Sequence, residues 1–226
     1  MRMRKVAKGI PKALIPVRGE PFAFHQLRLL ASQGVRDIVY VVGYESAQVE
    51  AAVGDGRAFG LAVSYVDEGE HLRGTGGALR FALDSGALPE EFAVLYGDSY
   101  LPIALDPVWA AFDAAGRPAL MTVYRNEDRW DRSNAVFEAG RVVIYDKRPE
   151  ARDERMSWID YGLSVLRRDV VEEIPAGVSY DLAETFHDLS TRGLLAGYEV
   201  DTRFYEAGSP EGIAQLELFL REREPV

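Results

Sequence analysis

The spacing of three short apolar runs constrains the fold of this chain more than any other feature. Each run is too short for a typical helix and lacks the alternation of a half-exposed strand, so each is typical of a strand buried on both faces. Helical patterns separate the runs, and strands that alternate with helices favour a parallel sheet with right-handed crossovers. We therefore predict an α/β fold with a mostly parallel central sheet flanked by helices. The three runs are residues 37–43, 92–96 and 119–124.

The pattern changes in the second half of the chain. Short strand-like segments joined by turns favour an antiparallel addition to one side of the sheet, formed by residues 134–138, 141–146 and 159–166. Helices are predicted at 179–192 and 210–223, with a strand at 198–204 between them. The sequence contains neither an internal repeat nor a recognisable linker. We therefore predict one domain over residues 1–226.

Composition excludes several classes of function. The 226 residues include 36 Asp and Glu against 26 Lys and Arg, which gives a net charge of −10 and disfavours non-specific binding to nucleic acid. The absence of Cys excludes disulfides, thiolate metal sites and a Cys nucleophile, and the three His show no metal-ligand spacing. No run of about 18 apolar residues and no signal peptide are present. We expect a cytoplasmic protein that does not associate with membranes.

The run at 92–96 ends in Gly97 and Asp98. Ligands of open α/β sheets bind beyond the carboxyl ends of the strands, and a carboxylate there can hold a hard cation. An ordinary turn followed by a helix N-cap remains an alternative for the same residues.

Two further segments are candidates for binding phosphorylated ligands. The segment Gly74-Thr75-Gly76-Gly77 can let the backbone approach a flat ligand, or it can be a plain glycine-rich loop before a helix at 78–83. Lys12 lies on a proline-stiffened loop and can serve as a point charge for phosphate, or it can be an exposed loop lysine.

Five short motifs occur in one order along the chain. They are Pro-Lys-Ala-Leu-Ile-Pro-Val-Arg-Gly-Glu-Pro-Phe at 11–22, Gly-Thr-Gly-Gly-Ala-Leu at 74–79, Leu-Tyr-Gly-Asp at 95–98, Asp-Tyr-Gly-Leu at 160–163 and Tyr-Glu-Ala-Gly-Ser-Pro-Glu-Gly at 205–212. In this order they resemble the sugar-phosphate nucleotidyltransferase, or nucleotide-sugar pyrophosphorylase, family. The resemblance covers the chain from about residue 2 to its end, and it looks most like the heptose 1-phosphate guanylyltransferase branch. It implies a Rossmann-like fold of the nucleotide-diphospho-sugar transferase type.

The resemblance also implies a reaction. The family joins an NTP and a sugar 1-phosphate to give an NDP-sugar and pyrophosphate, and the sugar phosphate oxygen attacks the α-phosphorus in line with the leaving group. Catalysis of this kind depends on positioning and on neutralising charge, which requires Mg²⁺ on carboxylates together with a few Lys or Arg. The expected partners are therefore NTP, sugar 1-phosphate and Mg²⁺. A homo-oligomer is left open.

Site residues are carried over position by position. Two departures stand out: Glu206 replaces the Asp of many relatives, and Asp160-Tyr161-Gly162 stands where relatives often carry Asn-Ala-Gly, which suggests a different sugar preference. The implied roles are metal binding for Asp98 and Glu206, phosphate contact or catalysis for Arg2, Lys12 and Lys147, nucleotide binding for Gly74, Thr75 and Gly76, and sugar binding for Asn134, Asp160, Tyr161 and Gly162.

Purely structural roles remain alternatives for several of these residues. Asp160 can be a strand-end cap, Lys147 a solvated turn lysine and Glu206 an ordinary turn carboxylate.

The N-terminus departs from the family pattern. Relatives open with an apolar strand and a glycine-rich phosphate loop, whereas this sequence starts Met1-Arg2-Met3-Arg4, and Arg2-Met3 resembles the last two residues of that loop. We expect a chain that lacks the usual first strand, with a start codon assigned at an internal Met as the leading explanation. Because such a strand would lie inside the sheet, we also expect weak NTP binding and low stability.

Two other functions remain to be distinguished. The first is a non-catalytic sugar-nucleotide-binding or regulatory homologue that has lost the NTP phosphate loop. The second is a glycosyltransferase with a similar sheet. Such an enzyme would require an Asp-x-Asp metal motif, and Asp98-Ser99-Tyr100 lacks the second Asp.

Overall fold

The structure is a computed structural model, and it describes residues 9–43, 45–69, 71 and 73–223. The described residues form two compact units, each built from separate stretches of the chain. Of the described residues, the first unit contains 9–43, 45–69, 96–102 and 204–223, and the second contains 71, 73–95 and 103–203.

The chain combines strands and helices throughout. The described strands are β1 (Pro16–Val17), β2 (Glu20–Pro21), β3 (Asp37–Val42), β4 (Ala62–Asp67), β5 (Glu91–Leu95), β6 (Ser99–Tyr100), β7 (Ala119–Arg125), β8 (Ala135–Glu138), β9 (Arg141–Tyr145), β10 (Trp158–Arg167), β11 (Leu195–Val200) and β12 (Tyr205–Glu206). The described helices are α1 (Phe22–Ser32), α2 (Ser46–Val53), α3 (Gly74–Asp84), α4 (Asp106–Ala115), α5 (Arg168–Glu172), α6 (Leu182–Thr191) and α7 (Pro210–Glu222). Short 3-10 helices occur at Lys12–Leu14, Arg57–Phe59 and Pro149–Ala151.

The first unit contains a parallel pair of strands. β3 and β4 pair in register from Asp37 opposite Ala62 to Val42 opposite Asp67. Val42 is buried, but Asp37 is exposed and the residues between them are half-buried, so the prediction of full burial on both faces is wrong for this strand. It is also wrong for β5, where Ala93 is exposed. β4 is the one described partner of β3, which leaves part of β3 accessible. Apolar residues of α1, α2 and these strands form one core, made of Ala23, Leu27, Val42, Val49, Val53 and Leu61.

A second small core of the first unit holds its later segments together. β6 pairs with β12 in antiparallel orientation, and β1 pairs with β2. The apolar side of α7 packs against these strands, because Leu216 is fully buried beside residues of β1, β6 and the segment after β12. The buried members of this core are Val17, Phe22, Tyr100, Ala207 and Leu216.

The second unit is built on a six-stranded sheet. Its strand order is β5-β10-β7-β11-β9-β8, with β7 and β11 parallel and the other neighbours antiparallel. The α/β class with an antiparallel addition is thus confirmed. The predicted place of that addition is wrong for β10, which lies between β5 and β7. β10 is buried along most of its length, and residues 163–167 of it pair with β5 while residues 158–160 and 164–166 pair with β7.

Several boundaries differ from the predictions. α3 begins at Gly74 and not after the glycine segment, and β11 begins at Leu195, three residues before its predicted start. The short helix α5 and the two-residue strands were not predicted, since elements this short leave no periodic pattern. No helix in the described part of the chain is long and apolar enough to cross a membrane.

Candidate active site

Two residues of the first unit that are distant in sequence form a direct ion pair. Lys12 opens the 3-10 helix that follows Pro11, and Asp98 lies in the turn between β5 and β6. The Lys12 Nζ atom is 2.6 Å from Asp98 Oδ2, although 86 positions separate the two residues. Both side chains reach solvent, with exposed fractions of 56% for Lys12 and 29% for Asp98. The structure therefore brings together two of the residues that the sequence assigns to phosphate and metal binding.

The second predicted metal ligand lies on the strand beside Asp98. Glu206 of β12 stands opposite Ser99 of β6, and the backbone N–H of Ala207 donates to the carbonyl oxygen of Asp98 at 2.8 Å. The pairing of β6 with β12 thus holds the two acidic positions on adjacent backbone. We call Lys12, Asp98 and Glu206 the Asp98 cluster. Arg2, the other residue predicted to act on phosphates at the start of the chain, lies outside the described residues.

The donor set of the Asp98 cluster fits Mg²⁺. This ion is usually held by one or two carboxylates, and waters and substrate phosphates complete its coordination. Asp98 and Glu206 supply carboxylates on neighbouring backbone, and the ammonium group against Asp98 marks a position that a cation can occupy. Among the residues that the structure describes, no group of three or more His, Cys, Asp or Glu could enclose a metal ion. A divalent ion at this cluster would therefore need waters as further ligands, and substrate phosphates could replace some of them.

In the second unit, the glycine segment forms the first turn of α3 and packs tightly against residues 178–182. The backbone N–H groups of Gly76 and Gly77 both donate to the carbonyl oxygen of Tyr180, at 2.9 and 3.0 Å. A Cβ at Gly74 would lie 2.6 Å from that oxygen, and a Cβ at Gly76 would lie 2.7 Å from the Tyr180 ring. The glycines are thus explained by close packing within the protein. The Gly76 N–H is already used within the protein, and the assignment of Gly76 to nucleotide binding stays a prediction.

Thr75 links the glycine turn to the start of α6. Its hydroxyl donates to Asp181 Oδ1 at 3.1 Å and accepts from the backbone N–H of Leu182 at 2.9 Å. Asp181 also caps α6 by accepting from the N–H of Ala183 at 2.9 Å. The same Asp181 oxygen is 3.9 Å from Lys147 Nζ, so one carboxylate contacts residues predicted for nucleotide and for sugar phosphate.

A cavity of the second unit opens beside Lys147. Residues of both charges line it: Asp146, Lys147, Arg148, Pro149, Asp181, Ala183, Glu184 and His187. Arg148 donates to both carboxylate oxygens of Asp146, and His187 Nδ1 is 3.4 Å from Asp146 Oδ2. The hydrogen bonds from Arg148 hold the pKa of the buried Asp146 carboxyl below its usual value, and the positive charge of Arg148 adds to this effect. Lys147 itself is 42% exposed and can reach an anionic ligand in the cavity.

The residues predicted to bind sugar lie around the first half of β10. Asn134 accepts through Oδ1 from the N–H of Asp160 at 3.0 Å, and Asp160 Oδ1 accepts from the N–H of Gly162 at 2.9 Å. The buried hydroxyl of Tyr145 donates to Asp160 Oδ2 at 3.3 Å. The Tyr161 side chain is 1% exposed and belongs to the core, so the assignment of Tyr161 to sugar binding stays a prediction. Asp160 and Asn134 are half-buried and can still face a ligand.

Comparison with known proteins identifies the family. The model of the MobA-like NTP transferase domain matches residues 1–193. The chain belongs to the MobA-like NTP transferase family. It is 30% identical to a mannose-1-phosphate guanylyltransferase from Mycobacterium tuberculosis over 215 residues, which cover 93% of this chain and 58% of that protein. It is 24% identical to the D-glycero-alpha-D-manno-heptose 1-phosphate guanylyltransferase of Campylobacter jejuni over 214 residues, 93% of this chain and 90% of that protein.

A solved structure supports the fold of this MobA-like NTP transferase. HddC from Yersinia pseudotuberculosis superposes with a TM-score of 0.81 at 18% identity, over 97% of this chain and 94% of that chain. At this identity the match shows the fold alone. The chain spans about half the length of several of the curated relatives it matches.

The structure also shows residues of this MobA-like NTP transferase that the sequence reasoning missed. Asp181 and Tyr180 contact the predicted nucleotide residues, and Asp181 also lies near Lys147. Asp146 lines the cavity beside Lys147, and Gln26 contacts the turn that carries Asp98. A signal existed for Asp181, because an Asp followed three positions later by Glu184 is the pattern of a helix N-terminus. For Tyr180 and Asp146 the sequence offers no comparable pattern.

Tight packing at the glycine turn leads to a first prediction. We expect Gly74→Ala to lower the free energy of unfolding by at least about 2 kcal/mol, because left-handed strain of about 1 kcal/mol adds to overpacking of about 1–3 kcal/mol. Gly74 has φ of +69°, and its new Cβ would meet the Tyr180 carbonyl. Urea unfolding measures the loss. Gly86→Ala is the matched control, since Gly86 follows the other end of α3 with φ of +73° and open space around it. Equal losses at the two positions would contradict the packing explanation.

The Asp146–Arg148 pair leads to a second prediction, on pH. The pKa of Asp146 is lowered in the folded protein, so the ionised carboxylate adds stability above its unfolded pKa of about 4, and this is lost as the pH falls through the folded pKa. We expect Asp146→Asn to lower the urea midpoint near neutral pH, and the difference from wild type to shrink in acid. Asp113→Asn, at an exposed position of α4, is the control. Wild-type and Asp146→Asn midpoints that stay parallel down to acid pH would contradict this role.

Proposed function

We propose that this chain is a sugar-1-phosphate nucleotidyltransferase, which joins an NTP and a sugar 1-phosphate to give an NDP-sugar and pyrophosphate with the help of Mg²⁺. One observation carries the proposal: Lys12 and Asp98 meet at 2.6 Å, and the strand with Glu206 pairs beside them. Three motifs distant in sequence supply these residues, and the family of the chain is one of NTP transferases.

The Asp98 cluster suits the transfer of a nucleotidyl group. The sugar phosphate oxygen attacks the α-phosphorus while pyrophosphate leaves, so the protein must position phosphates and offset their negative charge. Lys12 offers an ammonium point charge on a loop that Pro11 and Pro16 flank. Asp98 and Glu206 would hold Mg²⁺, which supplies positive charge to the phosphate oxygens when bound.

The second unit supplies residues for the sugar 1-phosphate. Lys147 lies at the charged cavity, and its ammonium group can bind the phosphate of the sugar. Asp160 offers carboxylate oxygens, which accept hydrogen bonds from sugar hydroxyls, where relatives often carry an amide that can also donate. We assign the nucleotide to the glycine turn at 74–76 through the family resemblance. The cytoplasmic location and the homo-oligomer stay predictions.

A substrate panel tests this function. The full chain is incubated with GTP, UTP, dTTP, CTP or ATP, each with mannose, glucose or heptose 1-phosphate, and pyrophosphate release is measured with and without Mg²⁺. High NTP concentrations are used so that a high KM does not hide the transfer. We expect release that requires both the sugar phosphate and Mg²⁺ in at least one combination. Substrate binding without release in every combination would contradict the proposal and support the non-catalytic homologue.

A further inference from the structure

A buried glutamine of the first unit contacts the turn that carries Asp98. Gln26 lies on α1 and is 4% exposed. Its side-chain amide Nε2 donates to the carbonyl oxygen of Ser99 at 2.6 Å and to that of Tyr96 at 3.3 Å. These two carbonyls stand on either side of Asp98 in the chain. One side chain therefore hydrogen-bonds to the backbone both before and after the proposed metal ligand.

The other bonds of this turn show how completely its backbone is fixed. The N–H of Ser99 donates to the Tyr96 carbonyl at 3.1 Å and closes the turn, and the N–H of Ala207 donates to the Asp98 carbonyl at 2.8 Å. Gln26 supplies the bond to the Ser99 carbonyl. A buried carbonyl left without a donor is unfavourable, so loss of the Gln26 amide would favour a different path for the turn.

The position of Gln26 on α1 fixes its side chain relative to the Asp98 turn. Its neighbours Phe22, Ala23 and Leu27 are all fully buried, so the helix backbone at Gln26 is held by the core. In the sequence, a glutamine on the apolar side of a helix departs from the amphipathic pattern. A polar residue kept at such a position is explained by a partner, and here the partners are the two carbonyls that flank Asp98.

We propose that Gln26 is a positioning residue, which holds the Asp98 turn so that the carboxylates of Asp98 and Glu206 stand ready for a divalent cation. The inference rests on the proposed function, because it takes Asp98 and Glu206 as the metal ligands. Gln26 does not contact the substrate in this role. It acts through the backbone of residues 96–99. Removing its amide weakens metal binding and slows turnover.

The test measures Mn²⁺ binding by the electron paramagnetic resonance signal of the free ion, in the absence of nucleotide, for wild type, Gln26→Leu and Gln26→Glu. Leu removes the amide at similar volume, and Glu keeps the shape but loses the donor. We expect both variants to bind Mn²⁺ about 10–100-fold more weakly, as is typical when a group that orients a metal ligand is lost. We expect kcat to fall while KM for NTP changes less than about twofold.

A matched control separates this effect from general loss of stability. Tyr65→Phe removes another hydrogen bond from a side chain to a backbone carbonyl in the same unit, that of Tyr65 to Gly54 at 2.6 Å, and should leave Mn²⁺ binding unchanged. If Gln26→Leu does not fold, Gln26→Met provides an apolar side chain that adapts to the space. Folded Gln26 variants that bind Mn²⁺ as wild type does, while wild type transfers nucleotide, would overturn the role of Gln26 alone. A wild type that neither binds Mn²⁺ nor transfers nucleotide would overturn the proposed function and this inference with it.

Discussion

Replacing Asp98 with Asn is expected to lower kcat/KM for nucleotidyl transfer by about 100- to 1,000-fold. This is the usual cost of losing a group that offsets charge in a transition state, which under the proposed function is the Mg²⁺ that Asp98 would hold. The amide keeps the size of the side chain but loses the negative charge that pairs with Lys12 at 2.6 Å and that would bind Mg²⁺. The loss is measured by pyrophosphate release over a range of Mg²⁺ concentrations. The Mg²⁺ concentration for half-maximal rate should rise as well.

The control for this variant is a neutralised aspartate elsewhere. Asp113→Asn lies at an exposed position of α4 and should leave the rate and the Mg²⁺ dependence as in wild type. Asp98→Asn should also unfold at nearly the same urea concentration as wild type, because exposed ion pairs contribute only about 0–1 kcal/mol. An active Asp98→Asn variant with unchanged Mg²⁺ dependence would show that Asp98 is a turn residue and not a metal ligand.

Replacing Lys12 with Met is expected to have an effect of the same order, about 100- to 1,000-fold on kcat/KM. Met keeps most of the apolar stem and removes the ammonium point charge. Stability should change by less than about 1 kcal/mol, because Lys12 is 56% exposed and its ion pair with Asp98 reaches solvent. Steady-state kinetics together with urea unfolding measures the two effects on the same preparation.

Two further variants sharpen the Lys12 prediction. Lys12→Arg keeps the charge but not the compact ammonium geometry, so it should recover only part of the rate. The double variant Lys12→Met with Asp98→Asn should be less impaired than the product of the single losses, because residues that act as a unit are not additive. Strictly multiplicative losses, or a Lys12→Met variant as active as wild type, would contradict joint action of the pair.

Most of the fold could be predicted because short apolar runs and helical patterns are local signals. β7, β8 and β9 match their predicted segments to within one residue at each end. β10 is harder, since its residues show that it is a buried strand but not which neighbours it pairs with. Strand order depends on contacts between distant segments, and one sequence carries little information about them.

The candidate site was predictable to the extent that motifs mark it. Family motifs indicate Lys12, Asp98 and Glu206. The acidic positions come together through the pairing of β6 with β12, which involves only two residues on each strand and therefore leaves no periodic signal in the sequence. The glycines at 74–77 were assigned to an open loop, because sequence alone cannot distinguish closeness to a ligand from closeness to Tyr180. The contribution of Gln26 depends on where two backbone carbonyls lie, which only the folded chain shows.

The most direct test of the proposed reaction follows the nucleotidyl group itself. The full chain is given an NTP labelled at the α-phosphorus, a sugar 1-phosphate and Mg²⁺, and the products are separated and counted. Nucleotidyl transfer predicts that the label appears in an NDP-sugar, with one pyrophosphate released for each molecule formed and none without the sugar phosphate. Label that stays in the NTP, or that appears in free NMP whether or not the sugar phosphate is present, would contradict the assignment.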